Sequence, residues 1–345
     1  MTLRSVFEIR PAPGRFPVAI QAGLAIGIPA IGGALLGRPE IGLLASTGGF
    51  TALHLVDRSR RRRAAVLPFV AAGLVLSSAL GVAASGFLWL AVITVGVVAI
   101  VAATVMFGFR AGPPSALMFT LTAGSSTHVA ASAAAGGGGQ DGAVMIALVA
   151  LGSVIAYLVV IAPLAVPAVR RRDRALHAAE APVRFVLDAT ARVVLGRLAV
   201  GLVVAVVVGG MLGEHRGYWV IVTAVAILQN GHRVSIGAVR AVHRVAGTIV
   251  GVAVFVLIAA LHATGLPLAL LVTALQIGVE LLVVRNYGLA LVLITPLALS
   301  LSTVGGSDPL LVARDRALDT ALGGAIALAV LLVARLARRG ADPAA

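Results

Sequence analysis

Apolar stretches follow one another along this chain, separated by short turns rich in arginine and glycine. They fall near 17–36, 41–56, 64–84, 86–109, 113–131 and 143–169, and again near 193–213, 217–230, 241–261, 266–284, 287–304 and 317–334. A bilayer core takes about 20 helical residues to cross, so the pattern predicts an all-α integral membrane protein of about twelve transmembrane helices, six in each half. The runs at 41–56 and 217–230 are too short to cross comfortably. Each stands second in its half and runs into a basic turn with a histidine: His54 with Arg58 to Arg63, then His232 with Arg233 and Arg240. Shortened segments at corresponding places in two halves point to the binding region of a transporter.

The polar stretch Arg170 to Arg192 is the one plausible boundary. Arg184, Asp188 and Arg192 follow one another at i,i+4, which predicts a short helical surface linker. The expected organisation is a tail over 1–16, a first six-helix membrane repeat over 17–169, a linker over 170–192, a second repeat over 193–336 and a tail over 337–345, with no soluble domain. Shifting the first half by 178 residues superposes His54 on His232, Arg62 on Arg240 and Gly73 on Gly251. With an even number of spans, both halves enter the membrane in the same direction, as parallel repeats about an axis along the membrane normal.

Composition supports the class. Of the residues 60% are hydrophobic and only 12% charged, against about 25% charged in soluble domains. All 27 basic residues are arginine, and cysteine is absent, which excludes disulfides, thiolate metal sites and cysteine nucleophiles. Arginine placement sets orientation through the positive-inside rule: with both termini cytoplasmic, the N-terminal tail, the 58–63 cluster, Arg110, the linker, Arg233 to Arg244 and Arg285 share one side. Only Arg38, Arg216, Arg314 and Arg316 fall on the other. The net charge of +14 therefore faces anionic lipid headgroups and does not imply nucleic-acid binding. No phosphate loop, HExxH or alternating strand–helix pattern is present, and the histidines lack zinc spacing. The chain reads as a non-enzyme with no cofactor and no metal.

Four ordered blocks stand out in the second half: GYWVIVTAVAILQNG (217–231), RAVHRVAGTIVG (240–251), RNYGLALVLITPLAL (285–299) and RDRALDTALGG (314–324). On these blocks the chain resembles the fusaric acid resistance and aromatic acid exporter family, with the plant malate channels similar more distantly. The resemblance implies a multi-pass protein of the bacterial plasma (inner) membrane that exports organic anions or aromatic weak acids. The expected function is such efflux, coupled to protons. A passive anion channel or uniporter and a non-transporting membrane scaffold are the alternatives. Homo-oligomerisation and a periplasmic adaptor stay open.

The residues of these blocks carry chemistry of their own. Arg233, Arg240, Arg244, Gly247 and Gly251 share one helix face; arginine forks suit carboxylates and the glycines admit a neighbouring backbone. Positive-inside placement and snorkelling to lipid phosphate account equally for Arg240 and Arg244, and better for Arg58 to Arg63. Tyr218 and Trp219 open the short eighth segment, as interfacial anchors or stacking partners. These four, with His232 and Tyr287, are the candidate pathway residues. Glu280 lies in an apolar span one turn after Gln276, either as a proton carrier or in a structural pair with Arg285. Asp319, with Asp315, opens the last span and is the second coupling candidate or a helix-end partner. His128, His177, His215 and His262 read as surface or interface residues.

Overall fold

The computed structural model describes residues 8–213, 217–230, 234–302 and 308–341, and every regular element among them is helical. In chain order these are α1 (Phe16–Leu35), α2 (Pro39–Ser46) continued by a 3-10 helix (Thr47–Leu53), α3 (Arg60–Ala84), α4 (Leu88–Gly108), α5 (Leu117–Ala130), α6 (Gly142–Ile161) and α7 (Pro167–Ala178). There follow α8 (Ala189–Met211), α9 (Tyr218–Leu228), α10 (Val234–Ala260), α11 (Gly265–Leu282), α12 (Tyr287–Ser302) and α13 (Pro309–Ala341). Local chemistry sets the starts. The Asp141 carboxylate accepts from the Ala143 and Val144 N–H groups at the head of α6, and Asp188 accepts from Ala191 at the head of α8, each satisfying donors that a first helical turn leaves open.

Among the described residues eight helices, α1, α3, α4, α6 with its 3-10 extension, α8, α10, α11 and α13, are long and apolar enough to cross a membrane. The protein is a multi-pass membrane protein. The runs at 41–56 and 217–230 form helices too short to span: α9, at 11 residues, rises only about 16 Å, roughly half a bilayer core. Every residue of α9 is buried. A helix apolar on all sides belongs inside a larger structure, and α9 lies among α5, α8, α10 and α13. The fifth run of the first half is shortened too, to α5, because Pro113, Pro114 and Ser115 hold its start back, and Asn286 caps α12 by accepting from the Leu289 N–H.

Packing follows small residues, as it must where lipid tails are as apolar as the side chains and only close van der Waals approach favours association. Gly247 and Gly251 of α10 lie against Gly288, Leu291 and Thr295 of α12, where a Cβ would strike backbone. Gly152 of α6 meets Ala45 and Gly48 the same way. Two long contacts join the first half to the second, α1 along α11 and α4 along α8.

The linker departs from the expected i,i+4 helix. Its helical part is α7, opened by Pro167, whereas 181–188 has no regular secondary structure. Pro182 disfavours helix in the residue before it, and Asp188 is spent as the N-cap of α8. The linker closes the head of α3. Asp173 accepts from the Arg60 and Arg61 N–H groups (2.6 and 3.0 Å), and Glu180 accepts from the Ser59 N–H and hydroxyl (2.6 and 3.0 Å) and from Arg62 Nε (3.2 Å). Burial alone would raise the Glu180 carboxyl, but these donors, with His177, hold it below the usual carboxylate range.

Candidate functional site

One cavity of about 790 Å³ gathers residues from both halves. Arg15, Asp57, Arg110, Pro114, Asp188 and Gln229 border it at the end of the molecule where the arginine-bearing turns meet, and Trp219 and Arg316 lie deeper. Its volume is in the range of small-molecule sites.

The wall is built around α9, α10 and α12. The Arg240 guanidinium lies over the Tyr287 ring, 3.8 Å from its centroid, and its Nε donates to the Ala226 carbonyl at 2.9 Å. Arg197 donates to the Leu228 carbonyl at 2.7 Å. Two guanidiniums therefore sit at the C-terminal end of α9, where free carbonyls and the helix dipole favour cations. Arg244, one turn on from Arg240, donates to the Tyr287 hydroxyl at 3.0 Å, while its buried Nε has no partner. Arg316 is 1% exposed and lies 3.7 Å from the Trp219 ring centroid, with Nε and one terminal nitrogen unpartnered. No carboxylate is within ion-pair distance of Arg240, Arg244 or Arg316 among the described residues. Buried charge without a counter-ion costs several kcal/mol, a cost that an anion in the cavity would offset. The flanking Trp219 and Tyr287 rings present flat apolar faces beside it.

Across the cavity the Glu280 carboxylate accepts from Arg15 at 2.7 Å and from Gln276 Nε2 at 3.5 Å. The expected alternative, a pair with Arg285, is not formed. Five helical positions apart, Glu280 and Arg285 would point about 140° from each other, and Arg285 stands beyond the end of α11. Its carbonyl instead accepts the Arg10 N–H.

Residues 202–330 match the family described as fusaric acid resistance protein-like. Over those residues this membrane protein is similar to that family. A stretch of 119 residues, 34% of this chain and 19% of the relative, is 34% identical to the uncharacterized membrane protein YvaC of Bacillus subtilis (strain 168). The chain thus matches about a fifth of that relative's length. No solved structure matches.

The matched region supplies the three guanidiniums Arg240, Arg244 and Arg316 with Trp219 and Tyr287, and the first half and linker share the rest of the lining with it. Of the sequence candidates, Arg240, Arg244, Trp219, Tyr287 and Glu280 all line the cavity. Tyr218 sits one layer behind, its ring 4.8 Å from Trp219 and 6.5 Å from His128. His128, expected at the surface, is buried there, because α5 packs against α9. Asp319 is buried on α13 one turn from Arg316 but is not part of the wall. His232, with Arg233, His215 and Arg216, lies outside the described residues.

Two wall residues escaped the sequence reading. Arg316 was placed on the far side with Arg314, although it shares a helix face with Gly323, which packs on Val220 and Thr223 of α9; spacing to that glycine was the available signal. Arg15 looked like one more basic tail residue, and nothing local in the sequence connects it to a carboxylate 265 positions away.

Proposed function

We propose that this protein moves organic anions, aromatic weak acids among them, outward across the bacterial plasma membrane. The carrying observation is the trio Arg240, Arg244 and Arg316 around one cavity, Arg244 and Arg316 buried and Arg240 half-buried, with no carboxylate at ion-pair distance among the described residues and with Trp219 and Tyr287 beside them. An anion supplies the missing counter-charge, guanidinium forks suit its oxygens, and the aromatic faces take an apolar ring.

In this reading the chain is a duplication of six helical elements. The packing supports it: α9 contacts α8 and α13 as α2 and its 3-10 continuation contact α1 and α6, α10 contacts α12 and α13 as α3 contacts α5 and α6, and the cross-contacts α1–α11 and α4–α8 exchange under the same operation. The end that carries Arg15, Arg110 and the linker is cytoplasmic by its arginine excess, so the cavity faces the cytoplasm, with both termini on that side. His232 completes its rim in this proposal, Tyr218 backs Trp219, and Glu280, with Asp319 deeper, couples transport to protons.

A passive anion pathway is the second reading, and the Arg15–Glu280 pair favours it: a carboxylate held at 2.7 Å by a guanidinium has to part from it before it can exchange a proton. Counterflow of labelled aromatic acids in proteoliposomes, with and without a pH gradient, separates the readings. Flux that rises with the gradient supports coupled export, equal flux in both supports the passive pathway, and no flux overturns transport altogether.

A further inference from the structure

A second cavity, of about 840 Å³, lies between α3 and α4 and shares only Met106 and Arg110 with the lining of the site above. Its wall is apolar: Phe69, Leu76 and Leu80 of α3 face Val97, Val101 and Val105 of α4, and all six are exposed on the molecule. In a membrane-spanning protein such a face belongs to the acyl region.

One end of the cavity is different. Arg58, Arg62, Arg110 and Arg184 border it. Glu180 neutralises Arg62 at 3.2 Å and Asp188 meets Arg110 at 3.3 Å, while the exposed side chains of Arg58 and Arg184 have no ion-pair partner among the described residues. The non-helical linker segment 181–188 borders this end. Its Val186 N–H donates to the Gly108 carbonyl at 2.8 Å and the Phe185 ring packs edge-on to Phe109 at 5.2 Å. Val183 and Phe185, about half exposed, alternate with Arg184, so the strap carries apolar and cationic groups side by side, as a segment lying at a bilayer interface does.

We propose that this crevice is a binding site for one anionic phospholipid, with an acyl chain along the α3–α4 wall and the phosphate held by Arg58 and Arg184. The charge pattern decides the class. Two uncompensated guanidiniums at the end of an apolar groove match a headgroup of net negative charge, and their planar forks suit phosphate oxygens. A zwitterionic headgroup brings its own cation to the same rim and gains little there.

The test uses the full chain, purified in detergent, stripped of lipid and examined by native mass spectrometry with phosphatidylglycerol or phosphatidylcholine added singly. A single phosphatidylglycerol should stay bound at collision energies that remove phosphatidylcholine. The double variant Arg58→Gln/Arg184→Gln should weaken phosphatidylglycerol binding by about tenfold or more, as expected for two interfacial charges. Val101→Trp, which fills the groove from an exposed wall position, should weaken it with the rim intact. Both variants alter exposed side chains, and an unchanged size-exclusion profile shows that the fold is kept. Equal retention of the two lipids, or full binding in the double variant, overturns the proposal. Displacement by inorganic phosphate alone would assign the rim to a free anion and also overturn it. So would a lipid-free dimer that Val101→Trp converts to monomer, since a second copy would then occupy the groove.

Discussion

Two ion pairs join the halves of this protein at comparable points and in unlike surroundings. Arg15 immediately precedes α1 and meets Glu280 near the end of α11; Asp188 immediately precedes α8 and meets Arg110 just past the end of α4. The order of charges is reversed between them, and so is their exposure. The side chains of the first pair are 14% and 8% exposed, those of the second 67% and 47%. Both pairs border the cavity. A pair in solvent contributes about 0–1 kcal/mol, whereas removing one member of a buried pair strands the other and costs about 3–5 kcal/mol. The same architectural joint is thus a structural commitment on one side and a loose contact on the other.

The largest expected effect breaks the buried joint. Glu280→Ala should lower stability by about 3–5 kcal/mol in reversible unfolding from mixed micelles, and Arg15→Ala by a similar amount. Asp188→Asn removes its charge but keeps an acceptor for the α8 cap, and should cost less than about 1 kcal/mol. Equal losses at both joints would mean that exposure does not distinguish them, and the comparison would fail.

The comparison extends to the guanidiniums that follow the short helices. Arg63 donates to the Ala52 carbonyl at 2.6 Å and to Gln21 Oε1 at 2.7 Å, closing off the first half. Arg240 does the equivalent at Ala226; Arg63 and Arg244 each keep a buried Nε without a partner, but of the two only Arg244 borders the cavity. Arg244→Ala should therefore weaken apparent affinity for an anionic substrate by about tenfold or more, since a hydrogen bond to a charged group contributes about 1.5–3 kcal/mol. Arg63→Ala should leave affinity unchanged at matched protein levels while lowering stability. Affinity lost equally in both variants would dissolve the division of labour between the halves.

Glu280→Gln sharpens the functional side of the buried joint. The amide keeps hydrogen-bonding capacity but cannot carry a proton charge. Under coupled export, this variant should lose its response to a pH gradient in proteoliposomes while counterflow exchange continues. A normal gradient response would leave Glu280 as the partner of Arg15 and nothing more.

Much of this was legible in the residues, for reasons that differ from element to element. Apolar length marks membrane helices, and the glycine and arginine face of α10 follows from 3.6-residue periodicity alone, so Arg240 and Arg244 were found together. The run at 217–230 read as too short to cross a bilayer comfortably, in keeping with the 11 residues of α9, and burial on all sides follows from its lack of a polar face. What local pattern cannot carry is pairing across the fold. The Arg15–Glu280 contact depends on α1 lying along α11, and a helix-to-helix register of this kind leaves no mark in either segment. The linker misled for a related reason: i,i+4 charges suggested a helix at 184–192, whereas Asp188 has a stronger use as a cap.

The smallest effect concerns the linker itself, which fastens the head of α3 in the first half only. Glu180 has its carboxyl held below the ordinary range by Ser59, Arg62 and His177 against the opposing effect of burial. A carboxyl with a lowered folded-state value stabilises the fold fully above its unfolded value, about 4.3, and loses that contribution as pH falls through the folded value. Stability should accordingly be insensitive to Glu180 between pH 7 and pH 5 (about the upper limit of the unfolded titration) and should decline only on stronger acidification. In Glu180→Gln the uncharged amide accepts more weakly from Arg62 at every pH, so the variant should melt a little lower than the parent at neutrality and the gap should close in acid. Melting curves of both proteins in detergent across that range measure the gap directly. A gap that widens in acid would mean that the Glu180 carboxyl titrates above its ordinary value and that burial, not its four donors, governs it.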